Sequence, residues 1–142
     1  KTVPPRSPIG ASRMTERMVQ LSSASDVDQA LINENERLVV IRWGRDEDPL
    51  CEAVDQIMES VCSKCINMAV FCSVDIEEVP DFNVENKLYD PYTIMFYHKR
   101  RLVEINTGVA LEAYLDALYP ISEGSLVKIV EATFKKLKTS KR

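Results

Sequence analysis

The residues best suited to covalent chemistry are the cysteines: Cys51, Cys62, Cys65 and Cys72. Thiol–disulfide exchange needs an attacking thiolate and a second thiol that resolves the mixed disulfide. The usual arrangement is Cys-x-x-Cys at a helix N-terminus, where the helix dipole lowers the thiol pKa. The stretch Asp48-Pro49-Leu50-Cys51 has that spacing, but a carboxylate holds the attacking place and only the resolving place keeps its sulfur. Asp46, Glu47, Asp48 and Glu52 surround Cys51 with negative charge, which disfavours a thiolate. One thiol cannot run a dithiol cycle. Cys51 is therefore expected to be a packed cysteine of a first helical turn; the competing reading is a lone reactive or glutathione-accepting thiol. Cys62-x-x-Cys65 repeats the redox spacing, but at the end of an expected helix, where the dipole opposes a thiolate. Cys65 also falls on the apolar stripe of that helix. A thiol–disulfide oxidoreductase using Cys62 and Cys65, or Cys51 alone, is the alternative to the binding role argued below. A zinc site from the four cysteines would lack paired short spacings on both sides, and Cys72, inside a strand, reads as core.

The remaining reactive types suggest contact and support, not catalysis. His98 is the only histidine and sits at a turn with no serine, cysteine or acid dyad beside it. No phosphate loop, paired-carboxylate motif or dinucleotide fingerprint occurs, so no catalytic residue, cofactor or metal is expected. Arg42 lies within an otherwise apolar strand; an inward arginine needs a carboxylate such as Asp75 or another acid, and the alternative is that it reaches out to water at the strand end. Lys99-Arg100-Arg101 forms a basic run on a tight turn, which fixes the positions of its charges. Lys135, Lys136, Lys138, Lys141 and Arg142 form a second basic cluster that reads as a solvated tail, the alternative being contact with RNA phosphates, for which the rigid turn at Lys99-Arg100-Arg101 is the better candidate.

These residues are held by a regular alternation of elements. Residues 1–17, with Pro4, Pro5, Pro8 and Gly10, read as a flexible extension, and 18–142 as one domain. Ser25 or Asp26 is expected to cap a helix carrying Val27, Ala30 and Leu31. Leu38-Val39-Val40-Ile41-Arg42-Trp43 reads as a strand buried on both faces. Asp48 as N-cap and Pro49 at the first helical position open a helix whose stripe runs Leu50, Val54, Ile57, Met58, Val61, Cys65. A strand follows over 68–74, a short helix over 80–89, and a hairpin from strands 93–97 and 101–105. Leu111, Tyr114, Leu115 and Leu118 suggest an extra helix before Pro120. A last helix carries Leu126, Ile129, Val130, Thr133, Phe134 and Leu137. The order predicts an α/β fold with a central mixed four-stranded sheet flanked by helices.

The composition sets outer bounds. The chain has 142 residues, a net charge of −4 and 45% hydrophobic residues, which suits one globular domain and argues against a general nucleic-acid binder. No apolar run reaches the roughly 20 residues that cross a bilayer, and no secretory signal or membrane association is expected. Four cysteines without a disulfide-framework composition fit a reducing compartment.

Several collinear segments carry a resemblance: Val27-Asp28-Gln29-Ala30, Leu38-Val39-Val40-Ile41-Arg42-Trp43-Gly44, Asp48-Pro49-Leu50-Cys51, 74–82 and 89–96. They resemble the spliceosomal thioredoxin-like proteins of the U-five snRNP, the fifteen-kilodalton or Dim-one family. The resemblance runs from about Met18 to Gly108 and resumes more loosely in the final helix. It implies a thioredoxin-like fold without redox activity, membership of the tri-snRNP, and a nuclear role in pre-mRNA splicing. It also implies docking on the large central scaffold protein and neighbouring tri-snRNP proteins, near the 5′ splice site before activation, with departure at activation. Contact with snRNA or pre-mRNA inside the particle belongs to the same expectation, as does an isolated domain that is monomeric. The residues expected to bind partners are Arg45, Asp46, Lys99, Arg100 and Arg101. Asp48, Pro49, Cys51, Asp90 and Pro91 are expected to be structural, with Pro91 at the corner where thioredoxin-like folds hold a cis-proline. A second, paralogous branch shares the run Arg45-Asp46-Glu47-Asp48-Pro49, but the corner Asp90-Pro91-Tyr92-Thr93-Ile94-Met95-Phe96 favours the first. Departures are the helical-looking 109–114 in place of an asparagine-rich loop after Thr107-Gly108, the Lys-rich C-terminus in place of the family tail, and the extension before Met18.

Overall fold

Strand β2, Leu38–Gly44, is buried along its whole length and anchors the sheet. Its β-branched run suits a pleated surface covered on both sides. Alternation sends Leu38 and Val40 to one hydrophobic cluster and Val39, Ile41 and Trp43 to the other. The computed structural model describes residues 16–88 and 91–139.

β1 (Val19–Leu21) is followed by helix α1 (Ala24–Asn33), β2, helix α2 (Pro49–Val61) and β3 (Ala69–Asp75). A 3-10 turn, Pro80–Phe82, and helix α3, Asn83–Asn86, lead to the hairpin of β4 (Tyr92–His98) and β5 (Arg101–Val103). Three short strands, β6 (Ile105–Asn106), β7 (Leu111–Glu112) and β8 (Leu115–Asp116), follow β5, and helix α4, Glu123–Thr139, ends the described chain. The main sheet runs β1-β3-β2-β4-β5, with β8 also paired to β4; β6 and β7 form a separate two-stranded sheet. β1, β3 and β2 are mutually parallel, and β4 is antiparallel to β2. Residues of α2 and α4 share one core cluster, and residues of α1 and the 3-10 turn region share the other.

This is the mixed α/β sandwich that the sequence predicts, with three differences. The sheet has six strands and not four. β1 adds an edge of three residues, too short to show a period of two, and β8 pairs through Thr93↔Asp116 and Ile94↔Leu115. The second difference is the expected helix over Leu111, Tyr114, Leu115 and Leu118, which is absent. Leu115 is buried, but Leu111, Tyr114 and Leu118 are exposed, Leu118 at 90%. An amphipathic helix needs its stripe covered, and nothing covers this one. The chain instead turns at Thr107, whose hydroxyl accepts from the Ala110 N–H at 3.1 Å, and pairs Asn106 with Leu111.

The third difference concerns helix ends. α1 is capped by Ser23, not Ser25 or Asp26: the Ser23 hydroxyl accepts from the Asp26 N–H at 3.0 Å, and Asp26 reaches back to the Ser22 N–H at 2.9 Å. Asp26 thus serves as the reciprocal partner of the cap. α2 stops at Val61, so Cys62 and Cys65 lie in the turn that follows; the Cys65 N–H still donates to the Val61 carbonyl at 3.0 Å. Expectations resting on residues 1–15, Asp90, Lys141 and Arg142 lie outside the described residues, as does the geometry of the Asp90–Pro91 bond.

Candidate functional site

The junction between β2 and α2 is where a disulfide exchanger would carry its thiols. Asp48 caps α2 through its carboxylate, which accepts from the Leu50 N–H at 2.8 Å, and Pro49 occupies the first turn. Both choices suit a helix start, since Asp satisfies an orphan N–H and Pro has none to satisfy. Cys51 points inward and is fully buried. Its thiol donates to the Pro91 carbonyl, with Sγ 2.8 Å from the oxygen. Gly44 closes the space above: a Cβ there would stand 2.6 Å from Cys51 Sγ, 2.6 Å from the Pro91 oxygen and 3.2 Å from Arg42 Nη1. Burial pushes the Cys51 thiol pKa up; the Arg42 charge and the Arg45 backbone N–H pull the other way, while Asp48 and Asp55 add to the rise. The junction therefore holds one protonated, covered sulfur.

Beneath it, Arg42 brings a full positive charge into the interior. Its side chain is 0% exposed. The guanidinium donates to Asp55 through Nε (2.8 Å) and Nη2 (2.6 Å), to Asp46 Oδ1 (2.9 Å) and to the Val74 carbonyl (3.3 Å). Burial opposes the charge, but hydrogen bonds and Coulombic attraction from Asp55, then Asp46, raise the pKa, so the guanidinium stays protonated. The partner expected from sequence was Asp75 or another acid; it is Asp55, with Asp46 second. Asp55 was legible in principle, because it stands four residues after Cys51 on the same helix face. The alternative, Arg42 reaching solvent, does not occur.

The other cysteines are buried as well. Cys62 Sγ donates to the Met58 carbonyl at 3.3 Å. Cys65 is an unbridged thiol whose pKa burial raises to about 11, and burial raises Cys72 to about 12. The Cys-x-x-Cys spacing thus falls on a covered turn after a helix.

The expected contact residues separate into two groups. Arg45 and Asp46 follow β2. Arg45 Nε donates to Glu77 at 3.0 Å, and Asp46 is engaged by Arg42 and by Gln20 Nε2 at 3.1 Å. Lys99, Arg100 and Arg101 sit at the far end of β4. The register Gly44↔Tyr92 and Val39↔Tyr97 puts the two groups at opposite ends of the sheet, roughly 20 Å apart at about 3.4 Å per strand residue. Lys99 and Arg100 form the two-residue loop between His98 and its partner Arg101, with φ of 53° and 73°. All three basic residues are exposed. Sequence reasoning missed their neighbour on α4: the charges of Lys99 and Lys138 both act on His98, whose pKa burial lowers first. No periodicity links a turn at 99 to a helix end at 138.

Comparison with known proteins agrees with this architecture. A family model described as mitosis protein DIM1 matches residues 17–142. The mitosis protein dim1 of Schizosaccharomyces pombe is 39% identical over 123 residues, covering 86% of this chain and 85% of that protein. The spliceosomal protein DIB1 of Eremothecium gossypii is 36% identical over 121 residues, covering 85% of this chain and 84% of that protein. Among solved structures, Fasciola hepatica thioredoxin superposes with a TM-score of 0.65 at 15% identity, over 82% of this chain and 99% of that one, a likeness of fold alone. With a thioredoxin-like sheet, a covered lone thiol at the exchange junction and a family match across nearly the whole described chain, the protein belongs to the family of mitosis protein DIM1.

Proposed function

We propose that this chain acts in nuclear pre-mRNA splicing as a non-catalytic component of the U-five snRNP and tri-snRNP, a rigid domain that holds partners together near the 5′ splice site before activation. Relatives bearing the name spliceosomal protein support the splicing role. The observation that carries the non-catalytic part is the junction itself: Asp48 stands in the attacking place and Cys51 is buried with its thiol donating a hydrogen bond to the Pro91 carbonyl. A dithiol cycle has neither its first sulfur nor access to its second. What remains for function is surface. The partners proposed are the large central scaffold protein and neighbouring tri-snRNP proteins. Arg45 and Asp46 at one end of the sheet and Lys99, Arg100 and Arg101 at the other are the contact residues, so two partners can be engaged at once.

The test is affinity purification of the tagged full chain from nuclear extract, with sequencing of co-purified RNA and mass spectrometry of co-purified protein. Enrichment of U-five snRNA and tri-snRNP proteins is the expected result. An eluate without spliceosomal RNA rejects the reading. Insulin reduction by wild type and Cys51→Ser addresses the catalytic part: no turnover by either is expected, and turnover lost in Cys51→Ser would make the chain an oxidoreductase.

A further inference from the structure

We propose that the β4–β5 hairpin and the last turns of α4 form one surface that binds the phosphodiester backbone of single-stranded RNA, with Lys99, Arg100, Arg101 and Lys138 as its contacts. This rests on the reading of the hairpin as a contact surface and names its ligand.

The first ground is the distribution of unpaired charge. Arg17, Arg37, Arg42, Arg45 and Lys64 each meet a carboxylate within 3.7 Å. Among the described residues Lys87, Lys99, Arg100, Arg101, Lys128, Lys135, Lys136 and Lys138 do not, and all eight are exposed; Lys99, Arg100 and Arg101 are the three that stand side by side on one turn. The chain's net charge is −4, so acids are in excess, yet this end of the sheet leaves its cations open.

The second ground is that two separate elements converge there. Val103 of β5 and Phe134 and Leu137 of α4 pack against one core cluster, and the Asn106 N–H just beyond β5 donates to the Thr133 hydroxyl at 2.9 Å; the charges of Lys99 and Lys138 both act on His98. Lys138 is held in place, with Nζ 5.3 Å from the centre of the Phe134 ring. Glu34 also acts on His98, but its carboxylate is taken up by Arg37 at 2.8 Å.

The third ground is the turn chemistry. A two-residue hairpin loop with positive φ at both positions favours Asn-Gly. Here both positions carry long cations at φ 53° and 73°. Local strain of this kind points to a use beyond folding, and the use these side chains offer is charge.

A phosphodiester chain fits better than an acidic protein segment. Single exposed ion pairs gain little against water. A polyanion instead releases a condensed counterion at each contact and needs no fixed geometry at any one of them. Four solvated cations on two elements suit the second mode.

The experiment uses the full chain and a fluorescein-labelled 15-nucleotide oligouridylate, with anisotropy followed over a salt series. Wild type is expected to bind at low salt, with the logarithm of affinity falling by about 0.7 per contact for each logarithm of salt. Lys99→Asn with Arg100→Gly keeps the turn and should reduce that slope by about 1.4, and Lys138→Gln by about 0.7. Lys128→Gln, on α4 but away from the hairpin, should leave it unchanged, and thermal melts confirm that each variant is folded. Absence of binding by wild type, equal slopes in all variants, or equal displacement by polyglutamate at matched charge overturns the proposal. A chain that binds the oligonucleotide this way but brings down no spliceosomal RNA would sink the splicing role and leave this surface standing.

Discussion

Arg42 on β2 grips Asp55 on α2 with two parallel hydrogen bonds, Nε to Oδ1 at 2.8 Å and Nη2 to Oδ2 at 2.6 Å. The pair fixes the helix against the strand directly below the junction that carries Asp48 and Cys51. A buried guanidinium is tolerable only while its charge is met, and removing one partner of such a pair costs about 3–5 kcal/mol. Asp55→Ala is therefore expected to lower stability by about that amount. Asp46→Ala should cost less, because Asp46 makes one bond to Arg42 where Asp55 makes two, and is 37% exposed. Arg42→Met combined with Asp55→Leu should recover much of the loss, since an apolar pair leaves no uncompensated charge. Urea unfolding of the three variants checks the order; equal losses for Asp46→Ala and Asp55→Ala would contradict it.

Gly44 is the lid over Cys51, and its missing side chain is a steric requirement. The nearest atoms to an added Cβ are Cys51 Sγ and the Pro91 oxygen, both at 2.6 Å. One of those is backbone, so the strain cannot be relieved by a rotamer change. Gly44→Ala is expected to destabilise by about 1–3 kcal/mol. Gly44→Ala with Cys51→Ala should restore only part of this, because the Pro91 carbonyl stays in the way. Full recovery in the double variant would show that the sulfur alone sets the limit.

Much of this was legible from residue types. Asp48-Pro49 announces a helix start, and the cap forms as read. The β-branched run of β2 and the stripe Leu126, Ile129, Val130, Thr133 of α4 appear where periodicity puts them. The failures share a cause. The false helix at 111–118 had the right spacing, but spacing does not tell whether a stripe meets a surface, and β4 offered its edge to Leu115 instead. β1 has no signal of its own; it exists because β3 presents an unpaired edge at Cys72, Ser73 and Val74. At the site, the missing sulfur was visible at Asp48, whereas Asp55, Gly44 and Lys138 take their roles from partners 7 to 47 residues away in sequence.

The buried thiols predict an alkaline limit to stability. Ordinary thiols ionise near 9.0, while burial raises Cys65 to about 11 and Cys72 to about 12. A raised folded pKa means the folded state holds its proton longer than the unfolded one. The contribution is fully present below pH 9 and is lost as pH rises toward the folded values, because the unfolded chain sheds protons first. Tyr97, raised from 10.0 to about 12 by burial, acts in the same direction. The melting temperature should fall between pH 9 and 11, and Cys65→Ala with Cys72→Ala should flatten the fall while lowering the starting value. A melting temperature independent of pH over that range would contradict the burial of these groups.

The hairpin predicts opposite signs for stability and binding. A left-handed backbone costs an L-residue with a side chain about 1–2 kcal/mol, and Lys99 and Arg100 occupy it in succession. Asn and Gly tolerate that region, so Lys99→Asn with Arg100→Gly should relieve strain, with part of the gain offset by the extra freedom glycine gives the unfolded chain. A net gain of about 1 kcal/mol is expected, a few degrees in melting temperature for a domain of this size. The same variant should bind oligouridylate more weakly and with a shallower salt dependence. A residue pair kept only for folding would lose stability when replaced; one kept for its charge gains stability and loses ligand. Calorimetry and anisotropy on the one variant decide between them, and a drop in both would show that the turn needs Lys and Arg for its shape.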